Sequence, residues 1–225
     1  MRVLALGDSV AETIAQGLPD RPGRGGVRIS NGGTIGCGIT TLSPYRYFGA
    51  TKRRAPRCYA WQRTWSRQLR EHRPDVTLIV VGRWEITDQQ LGKRWVHIGE
   101  GTYDDYLRRR LRVAFGIASS TGSAVVFATT PYYHRGDRPD GGSWPEDQPR
   151  RADAFNRLLR QFVASEAPGA SVVDLNRRTA GGAHHYVARV NGVLLRYDGV
   201  HFTPQAGRWL APWLYPQLAR AAARS

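Results

Sequence analysis

Short, wholly apolar runs alternate along this chain with longer amphipathic stretches, and nothing else in the sequence restricts the fold as much. Residues 3–6, 27–30, 75–81, 124–129 and 171–175 read as strands. The run at 75–81 (Asp-Val-Thr-Leu-Ile-Val-Val) is the clearest, because apolar residues at successive positions imply burial on both faces. Between the strands, residues 9–18, 61–72, 103–120 and 150–166 carry helical spacing. Trp61, Trp65 and Leu69 fall four apart on one face, and Pro74 closes their helix. A last helix spans 203–223, with Thr203 as N-cap and Pro204 at the first helical position. This alternation requires a parallel sheet with helices on both faces. One insertion breaks it: 186–190 and 193–197 form a β-hairpin around Asn191-Gly192, which favours a type I′ turn. Residues 135–149, rich in Pro, Gly and Asp, read as a mobile loop. No repeat or long linker is visible, so residues 1–225 read as a single domain.

No stretch reaches the ~18 apolar residues of a membrane helix, and the start lacks the charged, apolar, small-residue order of a signal peptide. A stand-alone chain would then be cytoplasmic and a domain cut from a longer protein could lie outside the cytoplasm; both stay open. The net charge of +15 invites a nucleic-acid reading. Only Lys52 and Lys93 are lysines, however, so 31 of the 33 basic residues are arginine, and they are spread along the whole chain. Lys52-Arg53-Arg54 and Arg108-Arg109-Arg110 are the longest runs. Without a zinc spacing, interleaved aromatics or a basic heptad, no specific nucleic-acid partner is expected. Either the proteome is arginine-rich, or the chain prefers anionic polymers such as a cell-wall glycan or teichoic acid. Cys37 and Cys58, the only cysteines, are a disulfide of an oxidising compartment or two reduced, buried thiols. Neither has a CxxC partner or a nearby His, so no metal site is expected, nor any organic cofactor. A monomer is expected.

Ligands of such sheets bind at the carboxyl ends of the strands. Gly7-Asp8-Ser9-Val10 falls there, directly after the first strand. A serine at that turn lies near a helix N-terminus, where amides and dipole stabilise negative charge. Ser9 is then either a nucleophile or an N-cap. Asp198-Gly199-Val200-His201 falls just before the last helix. A carboxylate there can take the Nδ1 proton of His201 and leave Nε2 as a base, although a surface histidine near a helix start is the bland alternative. Both segments sit on the same edge of the sheet, in the order Ser…Asp…His.

With these two segments the chain resembles the SGNH (GDSL-like) hydrolase superfamily. Gly7-Asp8-Ser9 looks like its first block and Asp198-x-x-His201 like its fifth. Asn31-Gly32-Gly33-Thr34-Ile35-Gly36 matches the second, Asn-x-Gly-x-x-Gly, by which Gly36 would donate its backbone N–H to an oxyanion. The resemblance runs from residue 3 to about 215. It implies an α/β fold, a three-layer α/β/α sandwich on a flavodoxin-like five-stranded parallel sheet. The third block departs from the pattern: Gly82-Arg83-Trp84-Glu85 stands where Gly-x-Asn-Asp is usual, with Trp84 at the position of the oxyanion Asn. The Trp84 indole N–H or the Arg83 charge would have to replace that donor; losing one such donor costs ~10²–10³ in rate.

Gly36-Cys37-Gly38, Cys58 with Trp61, Trp84-Glu85 with Asp88, Arg151 with Asn156, and Arg196-x-Asp198-Gly199-Val200-His201-Phe202 look like one branch. It is the SGNH domain attached to bacterial membrane acyltransferase-3 proteins, mostly actinobacterial. That resemblance implies an extracytoplasmic domain acting in O-acylation of surface glycans, a membrane acyltransferase-3 partner or fused half, and a Cys37–Cys58 disulfide pinning the oxyanion loop. The reading is a serine esterase or O-acyltransferase of acyl esters or acylated glycans, with Ser9, His201 and Asp198 as triad and Gly36, Trp84 and Arg83 around the oxyanion. The alternative is a weakened module that binds glycan or anionic polymer. Glu85 and Asp88 are expected to pair with Arg83 or bind a hydroxyl, His134 and Trp144 to line or cover a cleft or simply pack, and His184 and His185 to face solvent. Trp61, Trp65, Trp95, Trp209 and Trp213 are expected in the core.

Overall fold

The computed structural model describes every residue except Arg24 and Ser225. In chain order its elements are β1 (Arg2–Gly7), α1 (Ser9–Gly17), β2 (Arg28–Gly33), β3 (Tyr45–Tyr47), β4 (Ala50–Lys52), α2 (Trp61–His72), β5 (Val76–Val80), β6 (Asp88–Leu91), β7 (Arg94–Val96), α3 (Gly101–Ser119), β8 (Ala124–Ala128), α4 (Pro149–Glu166), β9 (Ser171–Val173), α5 (Leu175–Ala180), β10 (Arg189–Val190), β11 (Val193–Leu194) and α6 (Pro204–Ala222). Five of the strands form one parallel sheet in the order β2-β1-β5-β8-β9. The continuous apolar runs of β5 and β8 are buried at every residue, because helices cover both faces. The chain steps from β1 outward to β2, then back past β1 to β5 and onward. Right-handed crossovers therefore put α1 on one face and α2, α3 and α4 on the other. α6 returns to pack on α1.

The strands end level. Gly7 pairs with both Gly33 and Val80, Val80 with Ala128, and Ala128 with Val173. The segments after β1, β2, β5 and β8 thus share one edge, and the order in which the chain adds strands reverses between β1 and β5, the place where sheets of this kind bind ligands. The hairpin forms as expected but shorter, as β10 and β11, with Asn191 and Gly192 both at positive φ.

Three features differ from the sequence reading. A second, antiparallel sheet in the order β4-β3-β6-β7 lies where no strand was expected. Its strands are three or four residues long, and they carry Arg46, Thr51, Gln89 and Arg94, so no period-2 signal could develop. The strand expected over 171–175 stops at Val173, because Asp174 caps α5 by accepting from the Arg177 N–H. The loop at 135–149 is anchored: Glu146 and Asp147 are buried within it. Of the expected core tryptophans, Trp61 and Trp65 are buried. Trp95 and Trp209 are only half-buried, with the guanidinium of Arg46 4.1 Å above one ring and that of Arg178 3.9 Å above the other. Trp213 is half-buried beside Trp209.

Candidate active site

The turn after β1 requires its glycine. Gly7 has φ +149°, and a Cβ there would sit 1.9 Å from the Val80 carbonyl oxygen. The chain therefore turns at the sheet edge and enters α1 at once. Asp8, not Ser9, is the N-cap: its Oδ1 accepts from the Val10 N–H at 2.8 Å. That releases the Ser9 hydroxyl, which sits at the first helical position with its backbone N–H in the unpaired first turn.

The Ser9 Oγ lies 2.8 Å from Nε2 of His201, and Nδ1 of His201 lies 2.7 Å from Oδ2 of Asp198. The carboxylate takes the Nδ1–H, so Nε2 of the neutral ring faces the hydroxyl as an acceptor. Oδ1 of Asp198 accepts the backbone N–H groups of Val200 and His201. Burial alone raises the Asp198 carboxyl, but the hydrogen bonds from His201 and Val200 outweigh it and hold the group below its ordinary value. Gly199 makes the bend possible, with φ +80° and no room for a Cβ beside the His134 carbonyl. His134 is half-exposed and meets this loop through its backbone N–H, which donates to the Gly199 carbonyl.

The second candidate segment follows β2. The Thr34 N–H donates to the Gly7 carbonyl at 2.9 Å, and the Cys37 N–H closes a turn onto Thr34. Gly36 lies in that turn with φ +77°, and its N–H donates to no other group among the described residues. Cys37 is bonded to Cys58 with an S–S distance of 2.00 Å, so the thiols are not free. Nη2 of Arg57 donates to the Ile35 carbonyl at 3.1 Å.

Arg83 and Trp84 part company. Arg83 is corrected from an oxyanion-side charge to a buried anchor. Its Nη1 donates to Asp147 Oδ1 at 2.6 Å and to the Glu146 carbonyl, and Nη2 donates to the Tyr47 hydroxyl. Burial by itself would lower the guanidinium, but Tyr47 and Asp147 hold it above its ordinary value. Trp84 packs between Tyr45 and Tyr47, with ring centroids 5.6 and 5.1 Å away, and its Nε1–H is buried without a partner among the described residues.

The expected pairing of Glu85 and Asp88 with Arg83 does not occur. Asp88 pairs with Arg151 at 2.7 Å. Glu85 is wholly buried and accepts the backbone N–H groups of Ile39, Thr40 and Gly82, tying the loop after Gly36 to the turn after β5. Burial, and then the charge of Glu85, push the Asp8 carboxyl from 3.8 up to about 7. Trp144 leans on Gly49 and on Phe48, 5.7 Å between ring centroids, so it packs against the β3–β4 hairpin. His184 and His185 are exposed. No cluster of three or more metal-ligating side chains occurs among the described residues.

One site residue, Thr13, escaped the sequence reading, and a second, Glu85, was named there with another role. Thr13 accepts the Phe202 N–H on its hydroxyl and donates to the Ser9 carbonyl, joining the two ends of the triad. A threonine in mid-helix carries no local sign of that. Glu85 was visible as an acid in an apolar context, but its partners lie about 45 residues away in sequence.

A family model described as SGNH domain (fused to AT3 domains) matches residues 1–216. Among solved structures, an aryl esterase of M. smegmatis is similar at TM-score 0.57 and 15% identity, covering 98% of this chain and 99% of the other. An acetyl xylan esterase, AlAXEase, is similar at 0.56 and 12%, covering 96% and 98%. TesA is similar at 0.53 and 17%, covering 98% and 99%. At such identities these likenesses concern the fold. No curated protein sequence matches the chain.

Proposed function

Because the chain belongs to the SGNH domain family described as fused to AT3 domains, we propose that it is a serine-dependent enzyme of O-acyl esters, acting on acylated carbohydrate. One observation carries this reading: an unbroken hydrogen-bond chain from Asp198 through His201 to the Ser9 hydroxyl.

Ser9 Oγ attacks the acyl carbonyl carbon and passes its proton to Nε2 of His201. The Asp198 carboxylate steadies the imidazolium that results. The carbonyl oxygen, now an oxyanion, is held by the N–H groups of Ser9 and Gly36; the Trp84 indole N–H, buried between Tyr45 and Tyr47, does not take the place of the missing Asn. The C–O bond to the alcohol breaks, and His201 returns the proton to the leaving oxygen. An acyl-Ser9 ester remains. An acceptor hydroxyl then attacks it, gives its proton to His201, and carries the acyl group away as Ser9 is restored. Water as acceptor makes the protein an esterase, and a sugar hydroxyl makes it an O-acyltransferase. The family's fusion to AT3 domains favours a sugar acceptor, a membrane acyltransferase-3 partner and an extracytoplasmic setting, and the Cys37–Cys58 bond suits an oxidising one.

The test is covalent labelling. The protein and its Ser9→Ala variant are treated with a fluorophosphonate and weighed intact. A single adduct on the unaltered protein and none on the variant is the expected outcome. No adduct on either, with both folded by circular dichroism, refutes the nucleophile.

A further inference from the structure

Four large hydrophobic side chains are exposed among the described residues: Ile35 at 59%, Tyr59 at 49%, Val113 at 37% and Tyr197 at 62%. Three of them sit on the segments that build the candidate site. Ile35 precedes Gly36, on the turn hung from the Gly7 carbonyl. Tyr59 follows Cys58, which is bonded to Cys37. Tyr197 lies stacked on His201, with ring centroids 5.8 Å apart and planes within 22° of parallel. Apolar side chains left in water and gathered around one site mark a binding surface. Arg57 stands in the same rim. It is exposed, it has no carboxylate within ion-pair distance among the described residues, and among them only its Nη2 is occupied, by the Ile35 carbonyl. Its remaining donors are open to an anion.

We propose that Ile35, Arg57, Tyr59 and Tyr197 form a platform for a glycan that carries a negatively charged group. This rests on the acyl-ester reading above and names the substrate class. A tyrosine face offers a flat apolar plane to the CH side of a sugar ring. A guanidinium takes a carboxylate or phosphate in two parallel hydrogen bonds. The sugar lies on Tyr197 beside His201, so its acyl ester or free hydroxyl reaches Ser9, and its anion meets Arg57 at the Gly36 side. The overall charge of +15 draws an anionic chain to the protein, but it cannot choose this rim.

The test reads binding without turnover. Ser9→Ala protein is titrated by calorimetry with polygalacturonate oligomers and, separately, with neutral xylo-oligomers. The same titrations use Ser9→Ala combined with Arg57→Gln, with Tyr197→Ala, and with Arg220→Gln as a control at the far end of α6. The anionic oligomer is expected to bind about tenfold tighter than the neutral one, with Arg57→Gln abolishing that preference. Tyr197→Ala is expected to weaken both about tenfold, and Arg220→Gln to change neither. Equal affinities in all four proteins, or an Arg220→Gln loss as large as that of Arg57→Gln, would overturn the platform, since nonspecific attraction then accounts for binding. Failure of fluorophosphonate labelling counts against the acyl-ester reading alone, because these titrations do not depend on Ser9.

Discussion

At the scale of single residues, neighbours in the chain have opposite duties. Asp8 caps α1 and Ser9 is thereby free to face His201. The cap has a consequence for stability. The Asp8 carboxyl titrates near 3.8 in the unfolded chain and about 7 when folded, so the folded state binds more protons between those values. Its favourable contribution is complete below 3.8 and is lost as pH rises to about 7, beyond which it stays flat. Asp8→Asn keeps a capping oxygen and removes the titration. Its melting temperature should therefore gain on the unaltered protein between pH 4 and pH 7; a constant difference across that range would contradict a raised Asp8. Asp198→Asn makes a different prediction. It keeps the size of the group but not the carboxylate that sets the His201 tautomer, so fluorophosphonate labelling should slow by on the order of 10⁴ with the fold unchanged. Both roles were open to a reader of Gly7-Asp8-Ser9 and Asp198-x-x-His201. The choice of cap was not, since either residue can cap and only backbone dihedrals decide.

At the scale of elements, two covalently distant segments hold the candidate oxyanion turn. The Cys37–Cys58 bond ties it to the short 3-10 helix Pro56–Ala60 that leads into α2, and Glu85 ties it to the turn after β5. A disulfide across 21 residues contributes ~3 kcal/mol by restricting the unfolded chain. Replacing both cysteines by alanine should lower the urea midpoint accordingly, and should also slow labelling of Ser9, which a purely structural bond would leave unchanged. The Arg83–Asp147 pair does similar work for the segment at 135–149. Asp147→Ala would leave a buried guanidinium without its anion, at a cost of ~3–5 kcal/mol measured by chemical denaturation. A loss below ~1 kcal/mol would mean that water reaches Arg83. Here the sequence was least readable. Proline, glycine and aspartate at 135–149 look the same in a free loop and in one whose carboxylates are buried, because the partner, Arg83, lies 64 residues away. The strands β3, β4, β6 and β7 were hidden for a related reason: they are too short for a period, and each exists only through its neighbour.

At the scale of the whole molecule, Ser9 and His201 are 192 residues apart in sequence, and α6 packing on α1 brings them together. Thr13 bolts that contact. Thr13→Val keeps the shape but leaves the Phe202 N–H without an acceptor, at a cost of ~1–3 kcal/mol. Ser9 labelling should fall in that variant by more than its small change in helix content explains, and unchanged labelling would show that packing alone aligns the ends. The five strands, the main helices and the Asn191-Gly192 hairpin were legible in the sequence, because burial on both faces, helical periodicity, caps and turn residues are local properties. The positions of Ser9, Asp198 and His201 at strand-to-helix junctions were legible for the same reason. Which carboxylate meets which arginine, which tryptophan is roofed by a guanidinium, and how Trp84 and Arg83 divide after β5 were decided only by the tertiary structure. Those outcomes depend on side-chain distances between segments far apart in the chain, and a linear pattern carries no record of distance.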